Sequence, residues 1–141
     1  MPFPELLHFR DTDVNDQSKT VFTVPNGEVY KVLYVFVVYE AAVAAANRQL
    51  VLMVSDPDTY PMLIVQMGDY ITTGEKWYVT FAPGVPLQED ETSSERTACV
   101  PIPAELLVQP GCILTVLANS PNAGDDMTVH AVVERKQPGL P

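Results

Sequence analysis

Histidine, cysteine and basic residues are scarce in this chain. It has two histidines, two cysteines and eight lysines plus arginines, against eighteen aspartates plus glutamates, so its formal net charge is -10. This balance opposes binding to nucleic acids, whose phosphates are recognised mainly by lysine and arginine. Cys99 and Cys112 are too few for a disulfide scaffold, and we interpret both as small buried hydrophobic residues, with a disulfide between them as the alternative.

Long apolar runs are also absent. No run approaches the ~20 residues that a membrane-spanning helix needs, and even the most apolar segment is interrupted by Lys31 and ended by Glu40. The amino-terminal residues MPFPELLHFRDTD lack the basic region and the apolar stretch of a secretory signal. We therefore expect no membrane partner.

The shortage of histidine argues against an enzyme. A metal-dependent oxygenase of the cupin type needs several histidines and a carboxylate converging on one metal, and this chain has only His8 and His130. No nucleophile motif or glycine-rich phosphate loop is present. We predict no catalytic residues, no cofactor and no metal.

Acidic residues cluster at several points without completing a metal motif. The segment Asp11 to Asp16 begins like a calcium loop, but its sixth position is not glycine and Phe22 stands where the bidentate glutamate belongs. Asp56 with Asp58, the run 89–91, and the pair 125–126 fall in predicted loops, where carboxylates normally contact water. A weak metal site between subunits stays open as an alternative.

What the chain does have is strand-forming sequence, most clearly in VYKVLYVFVVYE at Val29–Glu40. Strict alternation places Leu33, Val35, Val37 and Tyr39 on one face. It places Tyr30, Val32, Tyr34, Phe36 and Val38 on the other. Because both faces are apolar, this strand needs a second layer or another subunit to cover it.

Seven further segments have strand composition and are separated by turn residues. Together with Val29–Glu40, the eight predicted strand segments are 20–24, 29–40, 48–55, 62–66, 76–81, 98–102, 112–118 and 127–134. This pattern predicts an all-β, eight-stranded, two-sheet jelly-roll sandwich. An immunoglobulin-like sandwich is the alternative, but Trp77 precedes both cysteines, so the usual Cys, Trp, Cys order is missing.

The chain divides into a short N-terminal arm (1–19), a single jelly-roll domain (20–135) and a C-terminal tail (136–141). We expect Leu6, Leu7 and Phe9 of the arm to pack on a neighbouring molecule. The alanine-rich segment 41–47 is interpreted as a connection between strands.

Five phrases carry a resemblance to a known family. They are VFTVPNGEVYKVLYVFV, NRQLVLMVSD, YVTFAPG, PIPAELLVQPGCILTV and AGDDMTVHAVVE. Together, over Thr20 to Glu134, they resemble the jelly-roll head decoration, or cement, proteins of tailed bacteriophages. The resemblance implies a non-enzymatic virion protein, assembled in the host cytoplasm. It further implies a homotrimer that binds the major capsid protein on the outer capsid surface and stabilises the head.

The contacts of such a trimer are expected from the arm and from one face of the long strand. The residues are Leu6, Leu7, Phe9, Tyr30, Val32, Tyr34, Phe36 and Val38. The alternative function is a carbohydrate- or receptor-binding module of a head fibre, tail fibre or other tail structure, with Tyr60 and Tyr70 stacking on the ligand.

Overall fold

The computed structural model describes residues 5–12, 18–90 and 95–136, and this part of the chain contains strands, turns and loops but no helix. Its eleven strands are β1 (Glu5–Asp11), β2 (Ser18–Thr23), β3 (Val29–Glu40), β4 (Gln49–Ser55), β5 (Pro61–Gln66), β6 (Lys76–Pro83), β7 (Gln88–Asp90), β8 (Glu95–Ile102), β9 (Leu107–Val108), β10 (Ile113–Asn119) and β11 (Asp126–Lys136). No helix in the described residues is long and apolar enough to cross a membrane.

The strands form two sheets. The larger sheet has the order β1-β11-β3-β6-β8-β7, with β9 also paired to β3, and the smaller sheet has the order β2-β10-β4-β5. The predicted all-β sandwich is confirmed, and each of the eight predicted segments corresponds to a strand. One pairing, between β6 and β8, is parallel. The larger sheet therefore differs at this pairing from a jelly roll, in which all neighbouring strands are antiparallel.

The predicted N-terminal arm is corrected in part, because it contains a strand. Residues Glu5 to Asp11 pair in continuous register with β11, from Glu5 opposite Arg135 to Asp11 opposite Val129. β1 is thus an edge strand of the larger sheet. Residues 13–17, which include most of the calcium-like motif, and residues 137–141 of the predicted tail lie outside the described residues.

The core lies between the two sheets. Inward side chains of β3 and β6, such as Val37, Tyr39, Trp77 and Phe81, have no exposed surface. They meet Leu50, Leu52, Leu114 and Val116 of the smaller sheet within one buried cluster. Each large apolar side chain buried in this way contributes roughly 1.5–3 kcal/mol. The smaller sheet therefore supplies the second layer for one side of β3.

A β-bulge at Leu33 changes which residues of β3 face the core. Val132 of β11 lies opposite Tyr34 and Val133 lies opposite Val32, so Leu33 has no counterpart on the neighbouring strand. An extra residue shifts the alternation by one position. As a result Tyr30 and Val32, with 4% and 0% exposed surface, point into the core. The predicted single face from Tyr30 to Val38 is therefore wrong, and only its second half points outward.

Candidate functional site

The outer face of the larger sheet carries an open depression of about 590 Å³. It is lined by His8 of β1, Tyr34 and Phe36 of β3, Thr80 of β6 and His130 of β11. These four strands are neighbours in the sheet, and their register places His130, Phe36 and Thr80 side by side across β11, β3 and β6. The depression thus brings two imidazoles next to the aromatic rings of Tyr34 and Phe36.

The two histidines of the chain are in direct contact. His8 Nε2 and His130 Nδ1 are 3.2 Å apart. Their ring centroids are 5.4 Å apart and their planes are inclined by 21°. This centroid separation is close to the nitrogen–nitrogen distance plus the radius of each ring, so the rings meet edge to edge. One ring donates its N–H to the other, with the donor set by the tautomers.

The pKa of His130 is lowered. Its partial burial disfavours the charged imidazolium, and positive charge on His8 and Arg10 would repel it further. Burial contributes most, because the ring is packed between neighbouring strands. The imidazole of His130 is accordingly neutral at pH 7, with one ring nitrogen carrying a lone pair.

Apolar and aromatic side chains continue this face beyond the depression. The rings of Phe36 and Tyr78 lie 6.4 Å apart with planes inclined by 18°. Lys76 Nζ is 5.4 Å from the centre of the Tyr78 ring and 3.2 Å from a carboxylate oxygen of Glu40. The face therefore has an apolar centre and a charged border, which is the anatomy of a protein interface.

The structure divides the eight predicted interface residues into two groups. Tyr34, Phe36 and Val38 lie on the outer face of the larger sheet, together with Leu6, whose side chain is 60% exposed. The other four belong to the core side, which corrects their assignment: Leu7, Phe9, Tyr30 and Val32. Tyr30 and Val32 are buried in the core, and Leu7 and Phe9 are partly buried against it.

An aromatic cluster holds β1 and β2 against β3 and explains the position of Phe9. The Phe9 ring lies 5.0 Å from Phe22 and 5.8 Å from Tyr30, and the last two rings meet edge-on at 5.2 Å. Such aromatic pairs contribute about 0.5–1.5 kcal/mol each beyond their burial. The N-terminal strand is thereby packed against its own domain.

A second apolar surface was missed by the sequence prediction. It is the outer face of the smaller sheet, here called the small-sheet face, and its main members are Met53, Met62, Ile64, Ile113 and Leu117. Met62 and Ile64 are 60% and 58% exposed. The segment PMLIVQ at Pro61–Gln66 could have indicated this surface from the sequence. An edge strand with apolar residues on both faces needs another layer or another molecule to cover it.

The small-sheet face carries no charge. Lys19 is the single charged residue in the four strands of this sheet. Its side chain is fully buried, and Nζ lies 2.9 Å from Asp11 Oδ1. In a chain with a net charge of -10, this surface is the one that other neutral surfaces approach with least electrostatic cost.

Tyr60 and Tyr70, the predicted ligand-stacking residues, are both at the surface. Tyr60 is 70% exposed at the start of β5, and Tyr70 is 49% exposed in the loop that follows β5. Neither ring lines the depression on the larger sheet. Tyr60 adjoins the smaller sheet, and Tyr70 lies in the loop that connects β5 of the smaller sheet to β6 of the larger one.

A buried polar group corrects the prediction that Asp125 contacts water. Asp125 has no exposed surface and accepts hydrogen bonds from Tyr39 Oη at 2.6 Å, from Arg48 Nε at 2.8 Å and from the backbone N–H groups of Ala42 and Asn122 at 2.7 and 2.9 Å. Burial and this bond to Asp125 raise the pKa of the Tyr39 hydroxyl, which stays protonated and donates. The group joins two loops and is structural.

A smaller network surrounds Glu75. Its carboxylate accepts hydrogen bonds from the backbone N–H and the hydroxyl of Thr72 at 2.6 and 2.7 Å, and it lies 2.7 Å from Arg96 Nε. Burial alone would raise the pKa of Glu75, but these bonds and the charge of Arg96 lower it. The carboxylate thus connects the loop before β6, through Thr72, to Arg96 of β8.

No three histidine, cysteine, aspartate or glutamate side chains come together as metal ligands in the described residues. Neither cysteine forms a disulfide: Cys112 is buried and Cys99 is half-buried.

No protein-family model matches the sequence, and no curated protein is similar to it. Among solved structures, the chain resembles one from the T13 particle of infectious bursal disease virus, at 11% identity over 92% of this chain and 31% of that chain, with a TM-score of 0.41. It also resembles one from the Gx strain of the same virus, at 11% identity over 96% and 33%, with a TM-score of 0.44.

A third structure, PfGH50B, is similar at 11% identity over 96% of this chain and 23% of that chain, with a TM-score of 0.33. The chain spans about a third of the length of the two viral chains. All three TM-scores are below 0.5, so these likenesses carry no argument about function.

Proposed function

We propose that this protein is a structural component of a virus particle, a decoration protein that binds the outer capsid as a homotrimer and stabilises the head without catalysing a reaction. One observation carries this proposal. Both outer faces of the sandwich present apolar side chains, Tyr34, Phe36 and Val38 on the larger sheet and Met62 with Ile64 on the smaller one.

Two apolar faces on opposite sides of one domain suit a protein with two kinds of neighbour. Covering exposed apolar surface stabilises an assembly by roughly 25 cal/mol per Å². One face can contact copies of the same chain, and the other can contact the major capsid protein. In a trimer each copy binds the capsid together with two others, so weak individual contacts add up to firm attachment.

The resemblance to phage decoration proteins supports the same placement on the capsid surface. It rests on strand and turn phrases between Thr20 and Glu134, which form the body of the sandwich. The charge of -10 agrees with a site outside the shell, since the interior of a filled head holds nucleic acid, whose phosphates repel an acidic protein.

Light scattering coupled to size-exclusion chromatography tests the oligomer. We expect a mass of three times the 15.5 kDa chain. Cosedimentation with empty bacteriophage shells, followed by cryo-electron microscopy, tests the docking and should show density on the outer surface. A monomer that does not sediment with shells would overturn the proposal.

A carbohydrate- or receptor-binding module of a fibre or tail is the second candidate, favoured by the exposed rings of Tyr60 and Tyr70. Glycan-array binding that is lost in Tyr60→Ala and retained in Tyr34→Ala would select this function. Absence of glycan binding in the wild-type protein would reject it.

A further inference from the structure

The contact between His8 and His130 has no role in packing the core. It lies on the outer face of the larger sheet, where it borders an open depression. The two rings come from neighbouring strands, β1 and β11, and occupy diagonal positions, since His8 lies opposite Val132 and His130 lies opposite Arg10. They are the only histidines in the chain.

We propose that His8 Nε2 and His130 Nδ1 form a bidentate binding site for a borderline divalent metal ion such as Zn²⁺, Ni²⁺ or Cu²⁺. Imidazole nitrogen is a preferred ligand of these ions. With zinc–nitrogen distances of 2.0–2.1 Å and a tetrahedral angle, two ligand nitrogens are separated by about 3.3 Å. The observed separation is 3.2 Å.

Metal binding requires a change of tautomer in one ring. In the metal-free pair one N–H points at the facing nitrogen; when the ion binds, that nitrogen gives up its proton and the other nitrogen of the same ring takes one from water, so both rings stay neutral and both facing nitrogens offer a lone pair. The rings then pivot so that both lone pairs converge on one point at the side of the depression. His8 is exposed and His130 is half-buried, so the depression leaves room for this movement and for water molecules that complete the coordination.

The surrounding charges define the strength of the site. Arg10 lies directly opposite His130, and its positive charge weakens the attraction for a cation. With two imidazole ligands and no carboxylate among the described residues that line the depression, the site is selective for nitrogen-preferring ions over calcium or magnesium.

The structural consequence concerns the N-terminal strand. β1 is an edge strand that is hydrogen-bonded to β11 alone in the larger sheet. A metal that bridges His8 and His130 ties these two strands through their side chains as well. Metal binding therefore stabilises the attachment of β1 to the sheet, and above the dissociation constant this stabilisation grows with the logarithm of the free metal concentration.

Isothermal titration calorimetry of the full chain with ZnCl₂, NiCl₂ and CaCl₂ tests the site. We expect one Zn²⁺ or Ni²⁺ per chain and no binding of Ca²⁺. His8→Asn and His130→Asn should each weaken Zn²⁺ binding by about tenfold or more, since each removes one of two ligands. Asp56→Asn/Asp58→Asn is the matched control, because it removes loop carboxylates and leaves the imidazoles in place.

Zinc binding that is equal in the wild type and in both histidine variants would overturn the proposal, as would an absence of zinc binding. Nitrogen-15 NMR of the imidazoles uses the wild-type protein, so its result does not depend on whether the histidine variants fold. On addition of Zn²⁺ we expect the largest shifts at His8 Nε2 and His130 Nδ1. Unchanged imidazole resonances would contradict a site at these atoms.

Discussion

Arg48 and Asp125 form an ion pair with no exposed side-chain surface, although 77 residues separate them in the sequence. Arg48 Nε and Nη2 lie 2.8 and 2.9 Å from the two carboxylate oxygens. The same guanidinium donates to the carbonyl oxygens of Ala44 at 3.0 Å and Ala46 at 3.1 Å. One arginine therefore fixes the alanine-rich loop to the turn that precedes β11.

Replacing one member of this pair should destabilise the fold strongly. Asp125→Ala leaves the Arg48 charge buried without its partner, and such a change costs about 3–5 kcal/mol. Urea unfolding followed by circular dichroism measures the free energy of unfolding. Glu105→Gln is the control, because it breaks the surface contact with Lys31 and should change stability little. If Asp125→Ala and Glu105→Gln lowered the free energy of unfolding equally, Asp125 would not be the partner of a buried charge.

The same pair predicts a loss of stability in acid. Burial alone would raise the pKa of Asp125, but hydrogen bonds from Arg48, from Tyr39 and from two backbone N–H groups lower it from 3.8 to about 2. A carboxyl whose pKa is lower in the folded state stabilises the fold above its unfolded pKa. That contribution, about 2 kcal/mol, is lost as the pH falls through the interval from 3.8 to about 2.

Unfolding free energies measured between pH 2 and pH 7 would show this slope. Glu75, whose pKa is also lowered, adds to it in the same direction below its ordinary value of 4.5. Asp125→Asn should flatten the acid part of the curve, because the titrating group is gone. A curve that is the same in both proteins would argue against a depressed pKa at Asp125.

The β-bulge at Leu33 predicts different roles for two valines that strict alternation places on one face. Val32 is fully buried, whereas Val38 is half-buried on the outer face. Val32→Ala should lower the free energy of unfolding by about 2 kcal/mol, because it leaves a cavity in the core. Val38→Ala should cost less than about 1 kcal/mol, as surface changes usually do. Equal losses would mean that β3 alternates without interruption.

Charged substitutions on the two outer faces should separate self-assembly from docking. Tyr34→Glu places a carboxylate on the larger sheet, and Ile64→Glu places one on the small-sheet face. Both positions are exposed, at 41% and 58%, so each variant should fold. We expect one change to reduce the trimer mass in light scattering and the other to reduce cosedimentation with shells. If both variants remain fully assembled and fully bound, these faces are not the contacts.

The two thiols should differ in reactivity. Cys99 is half-buried on the outer face of the larger sheet and Cys112 is 5% exposed. Ellman's reagent should modify Cys99 in the folded protein and reach Cys112 after unfolding in urea, because access controls the reaction. Cys99→Ser should remove the early phase. An early phase that survives this change would place the accessible thiol at Cys112.

The strands of the core could be predicted from the sequence because their residues have a clear local preference. Runs such as VYKVLYVFVVYE and CILTVLA are rich in β-branched and aromatic residues and end at turn residues. The three additional strands carry weaker signals. β1 follows Pro2 and Pro4, β7 has three residues and β9 has two, so their strand state depends on the neighbours they pair with.

The functional surfaces were less predictable, for reasons that individual residues make clear. The bulge at Leu33 lies within a uniform apolar run, so nothing in its composition marks the shift that buries Tyr30 and Val32. Asp125 lies next to a turn, where carboxylates usually contact water, and only the long-range contact with Arg48 explains its burial. The meeting of His8 with His130 depends on the pairing of β1 with β11, which no local pattern encodes.

The alanine-rich loop between β3 and β4 is held through its carbonyl oxygens, which accept hydrogen bonds from Arg48, and Val43 at its tip is 86% exposed. Because the loop is anchored through backbone atoms, its conformation does not depend on the side chains at the tip. The sequence at the tip can therefore change while the loop keeps its shape. A foreign peptide grafted after Val43 would be carried outward on a rigid base, which makes this loop a natural place to display epitopes or tags.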